Sequence, residues 1–342
     1  MSTKKFKNFI DASRQDIWRY FKLFNPIERN NQISSEQNKW TRIEEYLVGT
    51  QNKTSLWVKH EDESITGSHK FRGLTYQLSS LLDRGIKQAV LSSSGNAAIS
   101  ASRLIANTES KLKLFVFLSR KTPPEKLAAI QHSSALIPIL SSRPLRLAKY
   151  AAKHFKLKDM RPSVDPNSRI GFRSLGFEIF EQKPEIDNIF SFATSFASVQ
   201  GIMEAYDILK NLGEVKKVPR LFAVKSSGQL AGSLNPSVQA SISKSSKDKQ
   251  NVESIPDCKI QNNCTLVDIS DDEITSCRQK YSQCETSIEG IASLIAAEKI
   301  RPEGTTLVIL TGKNWKEQKP DLVKFKEAEN FKDVDKIINQ YA

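Results

Sequence analysis

Two short segments combine residue types that suit covalent chemistry on a small anionic ligand. The first reads Thr-Gly-Ser-His-Lys-Phe-Arg-Gly over residues 66–73, and the second reads Ser-Ser-Ser-Gly-Asn over residues 92–96. Gly67 interrupts the chain, and apolar residues recur at roughly helical spacing from Phe71, which places Lys70 at the start of a helix. The second segment lies between an apolar strand and a helix, so its amides and the helix dipole attract an anion. Together they indicate a catalytic lysine beside an anion-binding turn.

A lysine that acts as a nucleophile must first lose its proton. Burial beside another positive charge favours that loss, and Arg72 lies two residues after Lys70. The alternative interpretation is a solvated lysine on a helix surface, where most lysines lie. The flanking Thr-Gly-Ser and Arg-Gly, with Ser-Gly-Asn downstream, favour the catalytic interpretation, since a motif gains meaning from its context.

Both segments resemble those of the pyridoxal-phosphate enzymes of the tryptophan synthase β and threonine synthase group, which have fold type II. Its motifs read Thr-Gly-Ser-Phe-Lys-x-Arg-Gly and Ser-Ser-Gly-Asn, and this chain matches both, with His69 in place of the commoner Phe. The resemblance implies pyridoxal 5'-phosphate as cofactor, Lys70 as the Schiff-base lysine, and Asn96 as partner of the cofactor's phenolic oxygen. The turn that would hold the substrate carboxylate consists of Ser93, Ser94, Gly95 and Asn96.

The resemblance continues after the last apolar run. Thr311 and Gly312 lie where the group often has Thr-Gly-His-Gly-Leu-Lys, and Glu289-Gly290 lies where many members have Glu-Gly-Ala-Ala. By resemblance, the Thr311 hydroxyl bonds the pyridine nitrogen and leaves it largely unprotonated, which suits β- or γ-elimination and replacement over transamination. The alternative is that Thr311 only ends a strand before Gly312 turns the chain.

Two arginines lie where threonine-synthase-like members have Asn-x-x-Arg-x-x-Gly. Arg169 and Arg173 could contact an anionic group of a substrate. Arginines are usually solvated or paired, so salt bridges at the start of a helix are the alternative interpretation.

The clearest departure from the family is the segment that would hold the cofactor phosphate. The family has Gly-Ser-Gly-Gly or Ser-Ser-Gly-Thr there, and this chain has Thr194, Ser195, Phe196, Ala197 and Ser198. Phosphate cradles favour glycine because the backbone approaches the ligand closely and often takes a positive φ. A positive φ at Phe196 would cost conformational free energy, because the residue carries a Cβ atom. We therefore expect either an ordinary loop conformation or weaker cofactor binding.

Short apolar runs alternate with amphipathic stretches along the chain, which predicts a βα succession with parallel strands. The predicted strands span residues 55–59, 88–92, 112–118, 135–140, 188–193, 220–224, 265–269 and 305–310. The predicted helices span residues 70–84, 97–106, 124–131, 144–155, 171–182, 198–211, 271–283, 289–299 and 321–331, and Ser270 to Glu273 read as a capping box.

The family resemblance implies how these elements assemble. It gives an α/β fold with two open, twisted, mostly parallel sheets flanked by helices. The cofactor would lie in the cleft between a large discontinuous domain, residues 1–74 and 161–342, and a smaller inserted α/β domain, residues 75–160. A length of 342 residues suits two domains of moderate size or one large one.

Composition limits the partners that we expect. Lys and Arg number 51 against 38 Asp and Glu, a formal net charge of +13. The positive residues are scattered, and the densest set, residues 244–249, lacks interleaved aromatics, so we expect no nucleic-acid partner. A basic surface equally suits phosphorylated substrates. No apolar run approaches the roughly 18 residues of a membrane span, and no leader is recognisable, so we expect a cytoplasmic protein without a membrane partner.

The four cysteines lie close together in sequence, as Cys258, Cys264, Cys277 and Cys284. Their spacings do not match a zinc ribbon, and the four histidines are scattered, so we expect no metal. Reduced structural thiols are the default for a cytoplasmic protein.

These expectations converge on a pyridoxal-phosphate lyase resembling threonine synthase, which acts on O-phosphohomoserine to give threonine. Its small-molecule substrate is an amino acid that forms a Schiff base, loses its Cα proton to Lys70 and undergoes β- or γ-elimination or replacement. One alternative is a serine or threonine dehydratase-like ammonia-lyase. Another is a catalytically impaired, ligand-binding homologue, which the altered phosphate segment at Phe196 favours. A homodimer is expected from the resemblance alone.

Overall fold

The structure is a computed structural model that describes residues 5–33, 40–46, 56–106, 112–228 and 264–341. The chain divides into two compact units. The first comprises Met1–Ile10, Trp40–Glu63 and Phe172–Asn314, and the second comprises Asp11–Lys39, Ser64–Gly171 and Trp315–Ala342. The domain boundaries expected from the family stay a prediction. The basic segment 244–249 and Cys258 lie outside the described residues, and Cys264, Cys277 and Cys284 are free thiols.

The strands are β1 Ile43–Glu45, β2 Leu56–Lys59, β3 Gln88–Ser93, β4 Lys113–Ser119, β5 Leu136–Ser141, β6 Lys158–Asp159, β7 Asn188–Phe192, β8 Arg220–Ser226, β9 Cys264–Ile269, β10 Thr306–Ile309 and β11 Lys326–Glu327. The α-helices are α1 Lys70–Asp83, α2 Asn96–Ile105, α3 Pro124–Ala128, α4 Pro144–His154, α5 Asn167–Gln182, α6 Ala197–Asn211, α7 Asp271–Cys277, α8 Ile288–Ile300 and α9 Phe331–Gln340. Short 3₁₀ helices span Phe6–Phe9, Ile17–Leu23, Arg29–Asn31, Glu61–Glu63 and Leu322–Lys324.

The first unit contains a six-stranded sheet in the order β1-β2-β10-β7-β8-β9. Its neighbouring strands are parallel, except that β1 runs antiparallel to β2. Phe190, Val224 and Val308 on the sheet share one core with Ile291 and Leu294 of α8. Strand β7 is buried along its whole length, as expected of a parallel strand covered on both faces.

The second unit contains a five-stranded sheet in the order β11-β5-β4-β3-β6, in which every pairing is parallel. Val90, Phe115 and Ile137 on its central strands pack with Leu147 of α4 and Ile338 of α9. None of the helices in the described parts of the chain combines the length and the apolar character that crossing a membrane requires.

Most predicted elements are confirmed. All eight predicted strands and eight of the nine predicted helices form, with ends shifted by a few residues, and the Ser270–Glu273 capping box is present. The predicted helix over 321–331 is wrong. Lys326 and Glu327 instead pair with β5 as an edge strand, and α9 begins only after Asn330. A second capping box, between Asn330 and Asp333, fixes that start.

A buried ion pair holds the carboxyl end of β2 in the first unit. Lys59 Nζ donates to Glu178 Oε1 at 2.5 Å and to the Thr41 carbonyl at 2.5 Å, and both charged side chains are buried. The Thr41 amide donates to the same Glu178 oxygen at 3.0 Å. The Lys59 carbonyl accepts from the Leu310 amide at 3.0 Å, so this network reaches the end of β10 directly before Thr311.

We expect Lys59→Met to lower the free energy of unfolding by about 3–5 kcal/mol, because it leaves the Glu178 carboxylate buried without its cation. Urea denaturation monitored by circular dichroism measures the change. Glu63→Gln, which removes one partner of the half-exposed Arg42–Glu63 pair, should cost less than about 1 kcal/mol. A double variant, K59M/E178Q, should be more stable than K59M alone. Equal losses of unfolding free energy in K59M and E63Q would contradict the structural role of the Lys59–Glu178 pair.

Candidate functional site

Lys70 follows a tightly hydrogen-bonded turn in the second unit. The Gly67 amide donates to the Ser64 carbonyl at 2.7 Å, and the Ser68 amide donates to the Ser64 hydroxyl oxygen at 3.0 Å. Gly67 has φ +71°, the left-handed conformation that glycine adopts without strain. The Lys70 amide donates to Ser68 Oγ at 3.2 Å, and α1 begins at Lys70. The backbone of this partly buried lysine is therefore held in place at the helix start.

Helix α2 holds the same turn from its other side. Ser100 Oγ donates to Thr66 Oγ1 at 3.1 Å, and the Arg103 guanidinium donates to the Ile65 carbonyl. Burial lowers the pKa of Arg103, although a guanidinium stays charged at any physiological pH. Two side chains of α2 thus fix residues 65 and 66, immediately before the Gly67 turn.

Trp315 packs onto the turn as well, and sequence reasoning missed it. A Cβ atom on Gly67 would lie 2.5 Å from Trp315 Cζ2, so only glycine fits beneath the indole. The Arg103 guanidinium stacks over the same indole, 5.5 Å from the ring centroid. Because 248 positions separate Gly67 from Trp315 in the chain, no local spacing in the sequence could indicate this contact.

The Ser93 to Asn96 turn follows β3 in the second unit, as predicted. Gly95 has φ 131°, a conformation that side-chain-bearing residues rarely adopt, and the stem of Lys126 lies against it. Ser93 Oγ accepts hydrogen bonds from the Gly95 and Ala98 amides, both at 3.0 Å. Ser94 is exposed, and α2 begins at Asn96. The amides at a helix start lack intrahelical acceptors and so can bind an anion.

The Asn96 side chain carries a signal for a ligand. Its Oδ1 atom is buried and has no hydrogen-bond partner among the described residues. Buried polar groups in proteins are normally paired, so this position calls for a bound partner. The oxygen and nitrogen of a carboxamide can exchange places by a flip, so Asn96 can serve either a donor or an acceptor on a ligand. The phenolic oxygen of pyridoxal phosphate fits this requirement.

In the first unit, the loop after β7 and Thr311 after β10 belong to neighbouring parallel strands. Phe190 pairs with Val308, and Ser191 pairs with Ile309. Because the carboxyl ends of adjacent parallel strands meet at one edge of a sheet, the 194–198 loop and Thr311 lie along the same edge. The tertiary structure thus brings together two groups that are more than 100 residues apart in sequence.

Phe196 adopts the conformation that sequence reasoning considered costly. Its backbone has φ 63° and ψ −7°, in the left-handed region, and its side chain is 2% exposed. The expectation of an ordinary loop conformation is therefore wrong, since the chain keeps a glycine-type backbone with a phenylalanine. Such strain costs about 1–2 kcal/mol and persists only where surrounding contacts enforce it.

The amides that follow Phe196 suit a phosphate. Helix α6 begins at Ala197 and has no side-chain cap, so its first amides are available for an anion. Ser198 is buried, whereas Thr194 and Ser195 are partly exposed. These amides and hydroxyls fit the phosphate of the implied cofactor.

A clamp holds the turn that contains Thr311. The Thr286 hydroxyl and the Ser287 amide both donate to the Gly312 carbonyl, at 3.0 Å and 2.6 Å. A Cβ on Gly290 would lie 2.2 Å from Thr286 Oγ1, so the Glu-Gly pair in the sequence has a packing role. Thr311 itself is 4% exposed. The clamp therefore fixes a buried hydroxyl at the sheet edge.

The two arginines of α5 occupy different surroundings. Arg173 Nε donates to Glu204 Oε2 of α6 at 2.7 Å, which favours the salt-bridge interpretation of that residue. Arg169 is partly exposed in the first turn of α5. A role of either arginine in substrate binding stays a prediction. Within the described ranges, no group of three or more His, Cys, Asp and Glu residues could hold a metal ion.

Comparisons with known proteins identify a matching family and similar proteins. A family model described as pyridoxal-phosphate dependent enzyme matches residues 37–312. Threonine synthase of Methanosarcina acetivorans is 27% identical over 222 residues, covering 62% of this chain and 53% of that protein. Threonine synthase of Mycobacterium tuberculosis is 23% identical over 184 residues, covering 53% of this chain and 51% of that protein. The chain thus spans about half the length of the curated relatives it matches.

Solved structures share the fold. A hydrogen sulfide-producing enzyme of Fusobacterium nucleatum has a TM-score of 0.64 at 14% identity, covering 82% of this chain and 97% of that one. A pyridoxal 5'-phosphate-dependent aspartate racemase has a TM-score of 0.61 at 20% identity, covering 80% and 90%. At these identities the likeness shows the fold alone, two mostly parallel sheets flanked by helices in the fold type II arrangement.

We expect the free energy of unfolding of Phe196→Gly to exceed that of Phe196→Ala by about 0.5–1 kcal/mol. Both variants lose a buried ring, but relief of left-handed strain, about 1–2 kcal/mol, exceeds the entropic cost of glycine, about 0.5–1 kcal/mol. Urea denaturation of the two variants measures the difference. At Gln200, in the regular part of α6, the order should reverse, with the alanine variant more stable. If the alanine variant were the more stable one at both positions, Phe196 would be unstrained.

Proposed function

The chain belongs to the family of pyridoxal-phosphate-dependent enzymes, and we propose that it is a threonine-synthase-like lyase that converts O-phosphohomoserine to threonine. The observation that carries the proposal is the placement of Lys70. It heads α1 directly after a turn held by Ser64, Ser68 and two side chains of α2. A covalent lysine needs such a fixed start, because a mobile side chain loses orientation at the reacting carbon. The curated threonine synthases that match the chain support this choice of reaction.

Different residues of the chain contact different parts of the cofactor in this proposal. In the proposal, Lys70 attaches it, Asn96 contacts its phenolic oxygen, Thr311 contacts its ring nitrogen, and the 194–198 loop holds its phosphate. The buried Oδ1 of Asn96 and the uncapped start of α6 support these assignments. When bound, the cofactor supplies an electron sink for the bond that breaks at the substrate Cα.

Lys70 also moves the proton. With a substrate bound, the Lys70 amine would remove the Cα proton and later return protons along the substrate. The Ser93 to Asn96 turn binds the substrate carboxylate through the amides at the start of α2. The formal net charge of +13 favours a phosphorylated substrate, which is a property of O-phosphohomoserine and not of serine or threonine.

Two other functions compete with the proposal. A serine or threonine dehydratase-like ammonia-lyase would use the same lysine, because loops outside the lysine motif choose the substrate. A homologue with impaired catalysis is favoured by Phe196, whose left-handed backbone carries strain in the loop assigned to the phosphate. A homodimer, expected from the family resemblance, and a cytoplasmic location stay predictions.

We expect the purified protein to be yellow with pyridoxal phosphate, with an absorption band at about 410–430 nm from the lysine-bound cofactor. Lys70→Ala should abolish the band. The matched control is Lys87→Ala, which removes an exposed lysine next to β3 and should leave the band unchanged. A protein that stays colourless with added cofactor would exclude the enzyme and favour the impaired homologue.

Turnover separates the two lyases. Release of phosphate and threonine from O-phosphohomoserine supports the proposal, whereas ammonia from L-serine or L-threonine supports the dehydratase. A yellow protein that turns over none of the three would exclude both reactions.

A further inference from the structure

Lys126 in α3 lies against the Ser93 to Asn96 turn of the same unit, and the proposed function does not use it. Its Cδ atom lies 2.7 Å from the point where a Cβ on Gly95 would be, and its Cβ and Cγ atoms lie 3.3 Å and 3.5 Å from that point. The ammonium group is only two bonds beyond Cδ. The glycine at position 95 therefore lets the stem of a lysine cross the turn and bring a positive charge to it.

The ammonium group of Lys126 has no ion pair or hydrogen bond with any residue that the structure describes. Two other partly buried lysines of the same unit do have partners. Lys158 Nζ lies 3.3 Å from Asp165 Oδ1, and Lys113 Nζ donates to the Ser134 carbonyl at 2.8 Å. Lys126 is itself only partly exposed. A positive charge that is held against the protein in this way favours an anion as its partner.

The turn offers hydrogen-bond donors beside this charge. Ser93 Oγ already accepts from the Gly95 and Ala98 amides, whereas the Asn96 and Ala97 amides have no acceptor within the described ranges. These two amides lie at the start of α2, where the helix dipole is positive. The buried Oδ1 of Asn96, described above, is a separate sign of a ligand at this turn. Two adjacent amides suit the two oxygens of a carboxylate, but they leave its negative charge without a counter-ion.

We propose that the Lys126 ammonium group pairs with the carboxylate of the amino-acid substrate, so that binding requires a free carboxylate. The inference rests on the proposed function, which assigns that carboxylate to the Ser93 to Asn96 turn, and it adds a charged partner to the amides. A hydrogen bond between charged groups is about twice as strong as one between neutral groups. Packing against Gly95 also restricts the lysine before the ligand binds, which lowers the entropic cost of pairing. Lys126 is a residue that distinguishes amino acids from their amides in this assignment.

A purely structural role is the alternative, in which the stem of Lys126 covers Gly95 and its charge does nothing. Lys126→Met separates the two roles, because methionine keeps an unbranched apolar stem and removes the charge. The matched control is Lys121→Met, at an exposed lysine on the same connection between β4 and α3. Both variants change the net charge by the same amount, so a difference between them reports the position of the charge.

The cofactor-free protein provides the first measurement, with acetate and acetamide as probes that have similar shapes and differ in charge. Acetate should shift the amide NMR resonances of Asn96 and Ala97, and acetamide should shift them much less. K126M should weaken acetate binding by about tenfold, the loss expected for one hydrogen bond between charged groups, and K121M should not. Acetate that moves neither resonance, or that binds K126M and the unaltered protein equally, overturns the inference.

The cofactor-loaded protein provides the second measurement, with L-threonine, the product in the proposed function, and its amide L-threoninamide. Their binding is followed by the change in the absorption band of the bound cofactor. K126M should weaken binding of L-threonine by about tenfold and leave binding of L-threoninamide unchanged. The loss should shrink in about 0.5 M sodium chloride, because salt screens the pairing of charges. An equal loss of affinity for both probes would indicate the structural role and overturn the inference.

Failure of the proposed function gives a different result from failure of this inference. If the unaltered protein stays colourless with added cofactor, the proposed function fails, and the acetate titration still decides whether Lys126 pairs with a carboxylate. If the protein is yellow and K126M binds L-threonine as tightly as the unaltered protein does, the inference is overturned and the proposed function stands.

Discussion

Parallel sheets covered on both faces impose the main constraint on this protein. Their strands are buried along their length, as β7 is, so side chains on the strands are committed to packing. Polar groups that act on a ligand must then lie where strands end and helices begin. The Ser93 to Asn96 turn follows β3, the 194–198 loop follows β7, and Thr311 follows β10. The available chemistry is therefore confined to strand ends and to helix starts, which also offer unpaired amides.

At these positions the structure constrains the backbone conformation more strictly than it constrains the type of residue. Gly67 and Gly95 have positive φ and are packed against Trp315 and Lys126, so no other residue fits there without strain. Phe196 has the same kind of backbone without being glycine. The loop before α6 thus keeps its shape at a cost in free energy. The left-handed backbone at Phe196 precedes the uncapped start of α6, whose first amides can bind an anion.

Buried interactions next to the strand ends keep them in position. The buried Lys59–Glu178 pair joins β2 to α5, and the Lys59 carbonyl holds the Leu310 amide one residue before Thr311. The Thr286 hydroxyl and the Ser287 amide then fix Gly312 on the other side of Thr311. A buried threonine hydroxyl between two anchored neighbours has little freedom to reorient. This rigidity suits the contact with the cofactor ring nitrogen that we propose for Thr311.

Local sequence predicted most of the helices and strands and the two motifs that contain Lys70 and Asn96. It could do so because apolar periodicity, glycine positions and capping residues act over a few residues. It failed at residues 321–331, where pairing of Lys326 and Glu327 with a distant strand overrode helical spacing. It also could not reveal the packing of Trp315 over Gly67, the Arg173–Glu204 pair, or the unsatisfied hydroxyl of Ser287. Those features depend on which segments become neighbours after folding. Tertiary structure alone decided them, because hydrogen-bond satisfaction and close packing are properties of contacts between residues remote in sequence.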